Sequence, residues 1–514
     1  MSTGRRRAGA SASVDLGTGI RRGLVWSSLN AVVLRVGTFA MGIFLARILA
    51  PEEFGVFAIA LTVQAILMTL ADFGLSTDLI RSKDHEAKSP TVATLGLVMG
   101  TLLFLLMFST AQPTANLLGS PQAAPVIALM SGSLLMAGLG VLPYAKLQRE
   151  FQQKRLFGIS LLDFVVVNTL TVVLVLLGWG VIALAIARLA AQFATLIAQY
   201  AMAGMKPRFG FDRALAPQVI AFGLPVAAAN MLSWLLLNID NIAISSLAGP
   251  VALGFYYLAF NISNWPMSML GQVVRSIALP AFARVVGTGK DRSLGIAMGP
   301  VWALGLLAGI MLALLADPVI RLVYGDRWAP SAPILMVLGL FGALRMVFDL
   351  FASYLLAKGR STLVLLVQAA WLLGLLPAIF ALVKSHEALG AGVAHLAVAL
   401  CLVVPAYLLA LRSSHTDLRL LLRQLTIPLV AAVPAAGAAY LAMQAVDGNL
   451  ARLLLGGLAG SAVYAGVLYR WIKTCLQLLK QHTHEEEEEV DVSPTGSAAQ
   501  HNEPVAVQPH GGQS

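Results

Sequence analysis

Fourteen long apolar runs fill the chain, and the basic residues between them fall on alternate connections. The runs are 24–47, 54–79, 91–111, 123–145, 158–178, 181–203, 217–246, 252–274, 295–316, 331–356, 361–383, 388–411, 426–446 and 453–470, numbered 1 to 14 here. A helix of about 20 apolar residues spans a bilayer core, and Lys and Arg collect beside its cytoplasmic end. With the N-terminus placed inside, the inside segments hold 27 of the 35 Lys and Arg residues. Five fall outside: Arg47, Arg321, Arg327, Lys384 and Arg452. Three lie within runs: Arg35, Arg188 and Arg345. The alternation predicts an even number of crossings with both termini cytoplasmic.

Charged residues make up 12% of the chain and hydrophobic ones 58%, against about 25% charged in soluble domains. This is the composition of an all-α polytopic membrane protein. The net charge of +10 is spread over the inside connections, so it faces membrane lipids and not nucleic acid. The two cysteines, Cys401 and Cys475, give no disulfide framework. Run 1 contains Arg35 and is too long for a cleavable secretory signal. Residues 1–22 read as a mobile basic cytoplasmic N-terminus. Residues 481–514, with Glu485 to Glu489, read as a disordered acidic cytoplasmic tail. All connections are short, so no external domain is available to build an enzyme site.

The chain also repeats itself weakly. Leu49-Ala50-Pro51-Glu52-Glu53-Phe54-Gly55-Val56-Phe57 joins runs 1 and 2, and Leu247-Ala248-Gly249-Pro250-Val251-Ala252-Leu253-Gly254-Phe255 joins runs 7 and 8. Ala60 and Ala259 share the same offset of 199. One residue off that register, Ser27-Ser28-Leu29-Asn30 faces Ala227-Ala228-Ala229-Asn230. Tyr144…Lys146…Arg149 after run 4 parallels Tyr354…Lys358…Arg360 after run 10. The expected division is an N-lobe of six helices over 23–213, a C-lobe of six over 214–423, and two further helices over 424–473. Two pseudo-symmetric lobes in the same orientation suit a rocking transporter.

A charge at mid-membrane is costly and usually faces the bundle interior or a wet cavity. In run 1, Ser28, Ala31, Arg35, Thr38 and Gly42 form one small, polar stripe at helical spacing. Arg35 then reads as a cavity cation for an anionic group, or as the partner of an Asp on a neighbouring helix. Run 7 carries Asn230, Ser233, Asn238, Asp240 and Asn241, and run 8 carries Asn261, Asn264 and Pro266. With Pro225, these suggest a polar hinge or cation site with kinks at the prolines, or plain interhelical hydrogen bonding. Arg345 and Asp349 are four apart and suited to pairing. Asp163 and Arg188, on consecutive runs, are expected to pair structurally. Asp72 and Asp78 lie late in run 2, and His395 reads as a bundle histidine before a proton sensor.

No nucleotide loop, metal helix or nucleophile elbow is present. Several stretches instead carry a resemblance. Leu45-Ala46-Arg47-Ile48-Leu49-Ala50-Pro51-Glu52-Glu53-Phe54-Gly55, Asp72-Phe73-Gly74-Leu75 with Leu79-Ile80-Arg81, and Asp240 with Leu253-Gly254-Phe255-Tyr256 resemble segments of Wzx-type bacterial polysaccharide transporters. So do Val274-Arg275-Ser276-Ile277-Ala278-Leu279-Pro280-Ala281-Phe282, Tyr324-Gly325-Asp326-Arg327-Trp328 and Lys358-Gly359-Arg360. These transporters belong to the multidrug/oligosaccharidyl-lipid/polysaccharide exporter superfamily. The resemblance covers about residues 20–470. It implies a central cavity open to one side at a time, made cationic here by Arg35, Arg275 and Arg345. It also implies an undecaprenyl-pyrophosphate-linked oligosaccharide as cargo, flipped across the bacterial cytoplasmic membrane, with a glycan polymerase and export machinery as partners. No cofactor is expected, and a coupling ion, H+ or Na+, stays open. The alternatives are an ion-coupled drug antiporter of the same superfamily, using Asp240 or Asp72, and a membrane glycan polymerase.

Overall fold

The computed structural model describes residues 36–82, 84–284 and 291–491. Ser28, Asn30 and Arg35 lie outside the described residues, and so do residues 1–22 and 492–514 of the termini expected to be mobile; residues 481–491 of the expected tail are helical, as the end of α16. Among the described residues the regular elements are helices, apart from an isolated bridge between Asp291 and Thr416. The first half contains α1 (Val36–Ile48), α2 (Pro51–Asp72), α3 (Leu75–Arg81), α4 (His85–Ser109), α5 (Ala111–Leu117), α6 (Ala124–Arg149), α7 (Gln153–Leu176) and α8 (Gly180–Ala203). The second contains α9 (Ala216–Arg284), α10 (Ser293–Leu314), α11 (Ala316–Val319), α12 (Ser331–Ala357), α13 (Ser361–Val398), α14 (Val404–Ser413), α15 (Leu418–Gln444) and α16 (Asn449–Asp491).

Eleven stretches among the described residues are long and apolar enough to cross a membrane. Two of them fold back on themselves. In α9, Gly249 takes φ 82° and ψ 180°. Residues 16 apart in a continuous helix lie about 24 Å apart, yet the Tyr256 hydroxyl donates to the Asp240 carboxylate. The chain therefore doubles back at Gly249, a position whose positive φ suits a residue without Cβ. In α13, Glu387 leaves helical geometry at φ 51°, and Gly390 meets the backbone of Leu382, so this helix folds back too. The count of fourteen crossings requires each broken stretch to be two passes and α1 to be part of another.

One expected helix is interrupted. Run 2 reads as continuous over 54–79, but Phe73 and Gly74 both adopt left-handed geometry and separate α2 from α3. The break frees the Phe73 carbonyl, and the backbone of Gly223 in α9 packs within van der Waals range of it. By contrast, α9 continues through Pro225 and Pro266, where kinks were expected. Gly249 is its one non-helical residue.

The close helix crossings rest on glycine. Gly96 and Gly100 of α4 lie against Gly138 of α6, and Gly309 of α10 lies against Gly339 of α12. Backbones that approach this closely gain dispersion and leave no room for a side chain, the usual way helices pack in lipid. At one end of the bundle the connections hold the basic residues. There, Arg149 caps α3 by donating to the carbonyls of Leu79, Ile80 and Ser82. Asp78 pairs with Lys88 at 3.2 Å, and Asp291 with Lys358 at 2.7 Å. Burial pushes the Asp291 carboxyl up, but Lys358, Ser293 and Tyr354 more than offset this and hold it below the usual carboxylate range.

Candidate functional site: a cavity between the lobes

The two repeated joints meet at the other end of the bundle. An ideal Cβ on Gly55 would sit 1.7 Å from the Pro250 carbonyl oxygen. An ideal Cβ on Gly254 would sit 2.0 Å from the Pro51 carbonyl oxygen. Pro51 and Pro250 differ by 199, as do Gly55 and Gly254. The contact is thus reciprocal, each glycine receiving the other joint's proline. Around it the stretch 322–328 closes on the end of α1. Trp328 donates its indole N–H to Ala46 at 2.7 Å, and Arg327 donates to the same carbonyl at 2.5 Å. Arg47 donates back to Leu322 and Val323 at 2.5 and 2.8 Å. Trp328 is fully buried, edge-on to Phe54 and Phe255. Helix C-termini carry unsatisfied carbonyls, and here the arginines satisfy them between the first and second halves of the chain.

Below this contact two cavities of about 380 and 410 Å³ lie between the first and second halves of the chain. Their walls share Leu61, Arg188 and Tyr257. Along α2 the lining runs from Phe54 to Thr69, about 22 Å at 1.5 Å per residue. Thr38, Asn168 and Asn261 supply polar groups to the upper cavity, and Gln64, Asn238 and Asn241 to the lower. Among the described residues that line them, Arg188 alone carries a charge.

The expected Asp163–Arg188 pair is present, with 3.6 Å between Arg Nη1 and Asp Oδ2. The Arg188 side chain nevertheless stays 41% exposed and lines both cavities. Sequence reasoning missed this role. A single acidic partner at 3.6 Å leaves other guanidinium donors for a ligand, since Arg carries five.

The predicted site residues separate into groups. Thr38, Asn241 and Asn261 line the cavities. Asn230 is exposed and Asp72 half-buried at the end of α2, and neither is among the lining residues. Arg345 donates to Asn264 at 2.9 Å and lines neither cavity. Asp240 is buried away from the cavities. It accepts from Tyr256 and from the backbone N–H of Asn241, and lies 3.4 Å from His395 Nε2. The side chains of Arg275 and Pro225 fall outside those described. Among the described residues, no group of three metal-ligating side chains converges.

The model of a family described as polysaccharide biosynthesis protein matches residues 44–333. That span holds both joints, the cavity lining from α2 to α9 and the 322–328 stretch. The chain belongs to this family. It is similar to the succinoglycan biosynthesis transport protein ExoT of Rhizobium meliloti, 28% identical over 66% of this chain and 70% of that protein. It is similar to the lipopolysaccharide biosynthesis protein WzxC of Escherichia coli, 24% identical over 66% and 70%. The teichuronic acid biosynthesis protein TuaB of Bacillus subtilis is 25% identical over 67% and 72%. Among solved structures, the lipid II flippase MurJ in an inward closed conformation superposes with a TM-score of 0.73. It is 14% identical, and the match covers 87% of this chain and 100% of that one. An inward-facing MATE multidrug transporter of the MOP superfamily gives 0.60 at 14% identity, over 76% and 99%. The polytopic helical fold is shared with both.

Proposed function

We propose that this transporter flips an undecaprenyl-pyrophosphate-linked oligosaccharide repeat unit across the bacterial cytoplasmic membrane by alternating access. The cargo would serve capsule, exopolysaccharide or O-antigen synthesis. The two lobes are 23–213 and 214–423, with 424–473 beside them. The joint end faces outward and the basic end faces the cytoplasm, the orientation favoured by the distribution of Lys and Arg. A glycan polymerase and export machinery receive the product. Arg188, half-exposed in the lining of both cavities, is the observation that carries this reading. It offers a fixed cation to pyrophosphate or acidic sugars while the prenyl chain stays in lipid. Outward movement of the anion gains about 2.3 kcal/mol per net charge per 100 mV of inside-negative potential.

The test uses the Arg188→Gln/Asp163→Asn double variant, which removes the cation without stranding a carboxylate. Hydrogen bonds to charged groups contribute about 1.5–3 kcal/mol, so transport at limiting substrate should fall roughly tenfold to a hundredfold. Lipid-linked intermediates should then accumulate on the cytoplasmic leaflet. Normal export at normal abundance would remove Arg188 from the mechanism. The buried Asp240–His395 contact favours the rival, an ion-coupled drug antiporter. Altered drug susceptibility on deletion, with glycans intact, would select it.

A further inference from the structure

A third cavity, of about 990 Å³, opens at the basic end within the N-lobe, between α4, α6 and the 204–208 connection. Four cations line it: Lys146 and Arg149 from α6, and Lys206 and Arg208 from the connection. Two carboxylates, Glu86 and Glu150, share the lining, which leaves the six side chains with a positive excess.

The two α6 cations are held by neutral partners. Lys146 donates to the Ala203 carbonyl at 2.9 Å, while Arg149 is fixed by the three carbonyls that end α3. Carbonyls orient a cation without cancelling its charge. Glu150 stands 4.0 Å from Lys146 and is 43% exposed, a pairing of little weight. The connection is tethered as well. Thr94 Oγ1 donates to the Gly210 carbonyl and accepts from the Gly210 N–H, and Thr91 Oγ1 accepts from the Asp212 N–H. This end of the cavity is therefore assembled before any ligand arrives.

The corresponding place in the C-lobe is built differently. There Lys358 is neutralised by Asp291, which also accepts from Tyr354 and Ser293. The parallel motif after run 4 brings its lysine to a carbonyl instead. One lobe carries its own anion, and the other presents cations to a cavity.

We propose that this N-lobe cavity binds a phosphate-bearing anion, supplied by an inner-leaflet lipid headgroup. Basic pockets between membrane helices on the cytoplasmic side take such headgroups. The site is separate from the central cavity and does not depend on what that cavity carries.

The experiment uses the full-length protein in detergent with phosphatidylglycerol, phosphatidylcholine or inorganic pyrophosphate as the probe. The wild type should hold phosphatidylglycerol in preference to phosphatidylcholine. Lys206→Ala/Arg208→Ala removes two exposed cations that cap no helix, and should weaken binding roughly 30-fold. Glu150→Gln should act in the opposite direction and tighten it. Pyrophosphate binding with the same dependence on both variants would support the anion site and assign the shared phosphate group as its determinant. Equal retention of both lipids, or binding unchanged in the double variant at an unchanged melting temperature, would overturn the proposal.

Discussion

Gly55→Ala tests the seal directly. The new methyl would lie 1.7, 2.5 and 2.9 Å from the oxygen, carbon and Cα of Pro250. All three are backbone atoms, so no rotamer change relieves the clash. Ordinary contact begins at 3.4 Å, so the joints must separate by 3.4 minus 1.7, or 1.7 Å. Overpacking of this kind costs about 1–3 kcal/mol. The cost falls on the sealed state alone, because an opened joint has room for the methyl. The population open to the outside should then rise by roughly 5- to 150-fold. Leu61 lines both cavities below the seal. A Leu61→Cys reporter, with Cys401→Ser and Cys475→Ser as background, reads opening as labelling by a membrane-impermeant maleimide added outside. Gly254→Ala, at 2.0 Å from the Pro51 oxygen, should act similarly. The two together should give less than the sum, since both wedge one contact. Unchanged labelling of Gly55→Ala at normal abundance would refute the idea that this contact closes the outer side.

Three further outcomes follow from geometry. Trp328→Phe keeps the ring between Phe54 and Phe255 but removes the bond to Ala46, and should lower stability by about 1 kcal/mol, seen as a lower melting temperature in detergent. Arg47→Ala loses two bonds to carbonyls from an exposed side chain, so it should raise Leu61→Cys labelling less than Gly55→Ala does. Asp291 is held below the usual carboxylate range in the fold. Its stabilisation is complete above the unfolded value of about 4 and is lost as pH falls through the lower folded value. Asp291→Asn should therefore reduce stability near neutral pH and flatten the acid-side loss below about pH 4, measured by unfolding across pH.

Much of this architecture is legible in the residues. The break at Gly249 falls in the gap between runs 7 and 8, where Gly-Pro interrupts the apolar pattern. The reciprocal joint is visible as two similar segments whose Pro51/Pro250 and Gly55/Gly254 pairs are 199 apart, because a close backbone contact demands glycine on both sides. The break at Phe73–Gly74 is not legible, since hydropathy continues across it and phenylalanine gives no sign of a left-handed φ. Arg188 was explained away by Asp163. A pairing partner accounts for a charge without saying which way the rest of the guanidinium faces. The Asp240–His395 contact joins residues 155 positions apart, a proximity that only the packing of α9 against α13 creates.

The Gly55–Pro250 and Gly254–Pro51 contacts have the form of an isologous interface, in which residue i meets j and j meets i. In a homodimer, every substitution at such an interface is felt twice. Here both surfaces lie on one polypeptide, so a change enters on one side alone and the twofold is free to decay wherever closure does not need it. The seam keeps its symmetry because both glycines are sterically required. Away from it the halves have become different instruments: one has Asp291 against its lysine, and the other ties Lys146 and Arg149 to carbonyls at the wall of a cavity.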